Sequence, residues 1–411
     1  MSLKSVVKAF IRKTTAQQDR RDQASLDAEC WNWPLPFDTL VTLPGLSVWH
    51  ARCIEVIATA AVGVGFSFEA DSDEADRKAR EAIETVAGPF GASDLFAFAA
   101  QCLRGCGNAY WEFTRSPDGA IAEWFPALPQ TFWILKNGEG FKHRAEPTDP
   151  RIVRFRAFDS SVGEGNELVH LRTLNMVHRH YGIPPWMAAV AAMELDQKAL
   201  QWNSAHFDNN AVPPWALSIT GGEPDEKVEE KITEFLSDNF KGPENAGRLL
   251  YLAMNDPNVK VEWQRLADEA KDGSYHTLRM DNRDEIVAAH GVPPRILGIM
   301  ASGALGGGGE VAGQIMIFDQ VVLQPLREKI ARAWNTGPGR TLGLPPLTFD
   351  KIDITTGKED AEALATLAGA GIISPDEARG ELGYGETDTS AAAANARVAA
   401  SLDALERRLR F

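Results

Sequence analysis

Gly291 to Trp334 reads GVPPRILGIMASGALGGGGEVAGQIMIFDQVVLQPLREKIARAW, and the fold is decided there. A proline-bounded turn leads into a glycine-rich loop, Gly303 to Gly309, which runs straight into a long amphipathic helix. The four consecutive glycines Gly306 to Gly309 leave that backbone almost without steric restriction. Beyond them Ile315, Phe318, Val322, Leu326 and Ile330 recur at helical spacing, which predicts one buried face. Pro325 lies inside this pattern, where it removes a backbone donor and predicts a kink. A loop mounted on a kinked, anchored helix reads as a moving part.

Glycine-rich loops that open helices often cradle phosphates. A triphosphate loop ends in Gly-Lys-Ser/Thr, because the lysine meets the terminal phosphates and the hydroxyl holds magnesium. Here the glycines run into Glu310 and Val311, which puts an acid where the anion would sit. A dinucleotide loop needs a preceding strand, and Pro293 to Met300 reads instead as a turn and a short helix. The plain alternative for such a segment is a surface loop.

Working outward, 411 residues are long for one core, and several parts are expected. Apolar and charged content match an ordinary soluble protein. Cys30, Cys53, Cys102 and Cys106 show no disulfide framework or zinc spacing, and read as buried thiols in a reducing compartment. The first 21 residues carry six Lys/Arg against one Asp, and Lys8 cuts their apolar run too early for a signal peptide. Such an arm reads as a mobile, solvated terminus or as a nucleic-acid contact. No stretch has the apolar length to span a bilayer. The net charge of −15 argues against tight wrapping around nucleic acid, which relies on Lys/Arg neutralising phosphates.

Helices are predicted over Ser47 to Ala61, Asp71 to Val86 and Ala92 to Gly105, with a short strand at GVGFSFEA. From Asn108 the period becomes two. NAYWEFTRSPDGAIAEWFPALP and TFWILKNGEGFKHRA read as hairpins with Pro-Asp-Gly and Asn-Gly turns, and RIVRFRAF and ELVHLRTL as further strands. HYGIPPW then opens a long helix, Pro184 to Asn209, and a second long helix is expected over Asp268 to His290. Between them lies a small α/β insert. WALSITG, RLLYLAM and VKVEWQRL are its strands, and Asp225 to Phe240 is its acidic helix. After Trp334 a Gly/Pro-rich turn and the strand LTFDKIDIT precede a helical C-terminus, residues 359 to 411. The class is α+β.

Catalytic signatures do not emerge. His178 and His180 alternate in NMVHRHYG, but no carboxylate or cysteine stands at ligand spacing, and His170 reads as an inward strand residue. No nucleophile elbow, zinc-protease helix or Cys/His signature is present. The tryptophans read as core and subunit-contact residues.

In order, GNAYWEFTRSPDGAIAEWFPALP, ELVHLRTL with HYGIPPW, FDNNAVPPWALSITG, GVPPRILG, FDQVVLQPLREKIARAWN and LATLAGAGIISPDEARGELGYGE resemble segments of the portal proteins of tailed bacteriophages. Asn210 stands where glycine is common, Asp376 replaces an asparagine, and GPGRTLGLPP has no counterpart. The resemblance spans most of the chain.

It implies a portal fold with a basic mobile arm (1–25), a wing (26–182), a stem helix (183–211) and an α/β clip (212–266). A second stem helix and turn (267–298), a tunnel loop with kinked tunnel helix (299–334), a wing return strand (335–358) and a helical crown (359–411) would follow. Ser302, Gly303, Ala304, Leu305, Gly306, Gly307, Gly308, Gly309 and Glu310 would form the tunnel loop, with Pro325 as the kink. Asp225, Glu226, Glu229, Glu230 and Glu234 would dock the terminase. The implied function is non-enzymatic: a ring, typically of twelve, at one capsid vertex of the virion, through which double-stranded DNA is packaged and ejected. The large terminase subunit, the major capsid or scaffold protein and the head–tail connector would be partners. Assembly in the host cytoplasm, no membrane and no cofactor complete the expectation. An acidic chain lining a channel, with no Lys or Arg in the loop at 301–309, suits DNA that must slide.

Overall fold

In a computed structural model, the described residues are 28–146, 151–159, 166–209, 215–220, 260–265, 275–299, 308–352, 364–375 and 377–378. The chain divides into two units, residues 1–305 with 314–351, and residues 306–313 with 352–411.

The first unit opens with α1 (Phe37–Leu40) and α2 (Val48–Val62), the expected apolar helix. Ser47 caps α2, its hydroxyl accepting from the His50 amide. Strand β1 (Phe66–Phe68) leads to α3 (Asp73–Ala87), capped by Ser72 and carrying Asp73, Glu74 and Asp76 in its first turn, where the helix dipole favours anions. Helix α4 (Ala92–Cys106) ends at Gly107 in the left-handed region (φ 78°). A Cβ there would lie 2.6 Å from the Ile183 backbone carbon, so the side-chain-free residue lets two backbones cross.

The period-two region forms β2 (Asn108–Arg115), β3 (Ile121–Ala127), β4 (Phe132–Ile134), β5 (Gly140–His143), β6 (Val153–Ala157) and β7 (Glu167–Arg172). They make one sheet in the order β3-β2-β7-β6-β5-β4. Both predicted hairpins are present. Sequence patterning did not reveal the join in the middle, where β6 meets β7 in parallel through only Arg156↔Glu167 and Ala157↔Leu168. Buried Arg115 staples this region, pairing with Glu167 at 2.8 Å and donating to the Gly119 carbonyl at 2.9 Å. Phe96 of α4 meets Trp111 and Trp124 of the sheet at centroid distances of 5.7 and 5.1 Å. Edge-to-face pairs of this kind add about 0.5–1.5 kcal/mol each beyond burial.

The first long helix is a 3₁₀ turn, Pro185–Ala189, followed by α5 (Val190–Asn209). Strands β8 (Trp215–Thr220) and β9 (Lys260–Arg265) pair antiparallel from Trp215↔Arg265 to Thr220↔Lys260. The rest of the insert, including RLLYLAM and its acidic helix, lies outside the described residues. The second long helix is shorter than expected. Its described part, α6 (His276–His290), begins after Tyr275, whose φ of 49° is incompatible with a right-handed helix running through from Asp268. Arg279 of α6 pairs with Asp196 of α5 at 2.8 Å.

Helix α7 (Gly308–Phe318), a π-turn at Asp319–Leu323, α8 (Gln324–Thr336) and the short α9 (Pro338–Thr341) follow in succession. Strand β10 (Leu347–Phe349) pairs antiparallel with β1. Asn335 of α8 holds it by donating to the Leu347 carbonyl and accepting from the Leu347 amide, both at 2.9 Å. In the second unit, residues 308–313 and 364–369 are helical. Ser374 and Glu377 there exchange side-chain and amide bonds (2.7 and 3.1 Å) in a capping box.

Candidate functional site: the clamped base of the glycine-loop helix

A register change is built into the helix that carries the glycine loop. The expected face was Ile315, Phe318, Val322, Leu326 and Ile330. Phe318, Leu326 and Ile330 are buried, but Leu323 takes the place of Val322, and Asp319, Arg327 and Trp334 join the buried face. The π-turn at Asp319–Leu323 is the reason, since a wider turn inserts one residue into the periodicity. Pro325 stands at the second residue of α8, exposed and directly after that turn. A proline there lacks the amide that would bond back toward the π-turn, so the two features form one break in the ladder.

Below the break a buried ion pair holds the helix. Arg327 donates through Nη1 to Asp319, through Nε to the Ala61 carbonyl and through Nη2 to the Ala60 carbonyl, the last two at 2.9 Å. Ala60 and Ala61 close α2, whose terminal carbonyls have no partner within their own helix. One guanidinium thereby completes a helix end and fixes both sides of the π-turn. Lower down, Trp334 sits among Trp124 (5.0 Å), Phe96 (5.7 Å) and Trp111 (6.3 Å).

The end of α6, just before the GVPPRILG turn, is equally fixed. His290 Nε2 lies 3.0 Å from His50 Nδ1, both rings are buried, and the Trp186 ring meets His50 edge-on at 4.2 Å. Burial pulls His50 down to about 3; burial, with His50 and Arg104 adding, pulls His290 down to about 2. Both are therefore neutral near pH 7. Arg104 donates to the His290 carbonyl at 2.7 Å, capping the helix end.

Asn108 is a clasp that sequence reading missed. Its Nδ2 donates to the Cys106 and Gly182 carbonyls at 3.0 Å, and its Oδ1 accepts from the Gly182 amide (2.8 Å) and from His170 (3.1 Å). GNAY and YGIPP are thus two halves of one joint. A Cβ on Gly182 would lie 1.9 Å from the Gly107 oxygen, which ties the two glycines to each other. His178, weighed above as a metal ligand, uses Nδ1 to accept from the His180 and Tyr181 amides (3.1 and 2.9 Å).

Of the expected loop residues, Ser302, Gly303, Ala304, Leu305, Gly306 and Gly307 lie outside the described residues. Gly308, Gly309 and Glu310 belong to the first turn of α7 and not to the loop. An acid is a residue type that helix N-termini favour, and the apolar run behind it propagates the helix back into the glycines. Asp225, Glu226, Glu229, Glu230 and Glu234 also lie outside the described residues. The geometry does not gather the predicted sites into one place. It supplies the anchored base of the helix that follows the loop in sequence, and Asp319 and Arg327 were the missed signal, two charges on an apolar face.

Among the described residues no group of three His, Cys, Asp or Glu could hold a metal, and no single helix is long and apolar enough to cross a membrane. The family described as phage portal protein matches residues 49–383. A chain in the virion of a native gene transfer agent particle is similar, with TM-score 0.64 and 20% identity, covering 93% of this chain and 100% of that one. A chain in the neck of an empty gene transfer agent particle, computed with C6 symmetry, gives 0.65 and 21%, covering 89% and 98%. A chain in the neck of the native particle, computed with C12 symmetry, gives 0.64 and 21%, covering 93% and 100%. An uncharacterized protein of Rickettsia felis is 27% identical over 172 residues, 41% of this chain, and the match spans only 43% of that curated relative's length.

Proposed function

Because the chain belongs to the phage portal protein family, a family of virion structural proteins and not of enzymes, we propose that it forms a twelve-membered ring at one capsid vertex and conducts double-stranded DNA during packaging and ejection. The observation that carries this reading is the junction just described. A glycine-rich segment with no Lys or Arg between 301 and 309 is carried on a helix whose base is fixed by Arg327. A conduit needs that division: a rigid wall, and a constriction that meets phosphates without ion-pairing to them. The net charge of −15 supports sliding over retention.

Ring formation follows from repeated heterologous contacts of one chain, and the C12 neck of the gene transfer agent supports twelve as the number. The insert at 212–266 is the clip that meets the large terminase subunit, through Asp225, Glu226, Glu229, Glu230 and Glu234, and later the head–tail connector. Residues 1–25 form the basic arm, 26–182 with 335–358 the wing, 183–211 with 267–298 the stem and 359–411 the crown, which meets the major capsid or scaffold protein. The ring assembles in the host cytoplasm and resides in the virion, with no cofactor.

Electron microscopy of purified full-length protein tests the reading. Rings with a central channel and twelvefold averages are expected; monomers at every concentration, or ATP turnover by the chain alone, would overturn it. Deleting Gly306 and Gly307, which spares the helical Gly308 and Gly309, should leave rings intact and lower DNA packaging or retention.

A further inference from the structure

Three helices of the first unit bring basic side chains together in its interior: His50 from α2, Arg104 from α4 and His290 from the end of α6. The 3.0 Å contact between the two imidazoles uses one N–H and one bare nitrogen. Whichever ring donates, the remaining bare nitrogen is His50 Nε2 or His290 Nδ1. Both are buried, and among the described residues neither has a hydrogen-bond partner. A first proton therefore places an uncompensated charge in the interior. A second puts two N–H groups face to face and ends the bond.

The elements packed here offer no anion to offset those charges. On α2, burial pushes the Cys53 thiol up to about 12 against the pull of Arg104, and Glu55 is exposed and paired with Arg52. On α4, burial raises the thiols of Cys102 and Cys106. On α5, Glu194 pairs with Lys198 and Asp196 with Arg279. On α6, Asp284 pairs with Arg283, and Glu285 is exposed. The Pro294–Leu297 turn, which packs on α2, carries Arg295, and the Asp319–Arg327 pair serves the opposite end of α2.

The two partners of this contact are not equally held. Helix α2 is fixed at both ends, by the Ser47 cap and by Arg327. Helix α6 stops at His290, where Gly291 turns left-handed (φ 72°). Ile286, Val287 and Val292 supply its apolar hold, and the His290 ring and the Arg104 bond to the His290 carbonyl are polar ties at its end. A Cβ on Gly291 would lie 3.1 Å from Val322 Cγ2, so this end of α6 also bears on the π-turn. We propose that the cluster is a proton-operated latch: protonation of His50 and His290 releases the end of α6 and residues 291–297 from α2 while the rest of the unit stays folded. The released segment is the one that leads into the glycine loop.

The open form binds two protons that the closed form refuses. Its population therefore grows as pH falls below about 6.5, by up to about a hundredfold per pH unit, and by about tenfold where only one histidine is left. Hydrogen–deuterium exchange of the full-length protein from about pH 7.5 to about pH 5, corrected for the intrinsic pH dependence of exchange, tests this. The amides of Gly291, Val292 and Ile296, bonded to the Ala288, Val287 and Pro293 carbonyls, should lose protection with the steep slope, while α8 keeps its own. His50→Phe and His290→Phe should each flatten the slope to about tenfold per unit. His50→Gln and His290→Gln serve where a phenylalanine variant does not fold. Equal loss of protection in α8, or an unchanged slope in the variants, would overturn the latch. So would constant protection of the three amides in the wild-type protein down to the lowest pH, a result that needs no variant.

Discussion

The two halves of the glycine-loop helix differ in what they touch. In α8, Leu326, Arg327, Ile330 and Trp334 are buried against α2, α4 and the sheet. In α7, Met316 and Ile317 are exposed, and Phe318 is the last large side chain held before the break; within the π-turn Val321 is exposed while Asp319 and Leu323 are buried. One half is fixed to the core and the other is presented. In the proposed conduit the presented half would meet the DNA, and it would be carried by one that does not yield.

Substitutions can break this contrast or sharpen it. The largest effect is expected at the clamp. Arg327→Ala leaves Asp319 buried without its partner and two carbonyls of α2 without donors, and should cost about 3–5 kcal/mol, read by denaturant unfolding. Replacing both charges, Asp319→Leu with Arg327→Leu, should recover most of that loss, because the penalty comes from the orphaned charge. If Arg327→Ala unfolds like wild type, the fixed half is held by something else. Asn108→Ala comes next, at about 1–3 kcal/mol for the buried partners it strands, measured the same way.

Acid provides a third comparison. His50 and His290 have folded values near 3 and 2, below the ordinary 6.5, so the folded state takes up their protons less readily than the unfolded chain. Their contribution is complete above about pH 6.5. It falls as pH drops below that, by about 1.4 kcal/mol per pH unit for each histidine, and levels off near the folded values. His50→Phe should make the decline between pH 6.5 and 4 shallower by about one proton's slope, read from unfolding midpoints at several pH values. The smallest effect belongs to the presented half. Ile317→Ser should change unfolding free energy by no more than about 0.5 kcal/mol, and a loss comparable to that of Arg327→Ala would erase the distinction between the halves.

The sequence made the hairpins legible because Pro-Asp-Gly and Asn-Gly admit few turns, and it made the helices near residues 47–61 and 71–86 legible by their composition and periodicity. The π-turn was not legible. A periodic search assumes 3.6 residues throughout and reads Val322 where Leu323 is buried. Tyr275 gave no sign of its left-handed backbone, since tyrosine rarely adopts one. Asn108 read as an ordinary strand residue, because its partners Gly182 and His170 become neighbours only in three dimensions. For the proposed site, the sequence pointed to the loop by its glycines, while the ion pair that holds its carrier is a long-range contact with α2.

The β1–β10 pair sets a clock. Ser67 and Thr348 face each other across a separation of 281 residues, so β1 leaves the ribosome long before its partner strand exists. At the usual 5–20 residues per second, the wait is roughly fifteen seconds to a minute. In that interval Phe66 and Phe68 have no strand beside them, while the whole of β2 to β9 has already been made. The strand that closes the unit is thus among the last pieces delivered, and a chain truncated before Leu347 should depend on chaperones in a way the full-length chain does not.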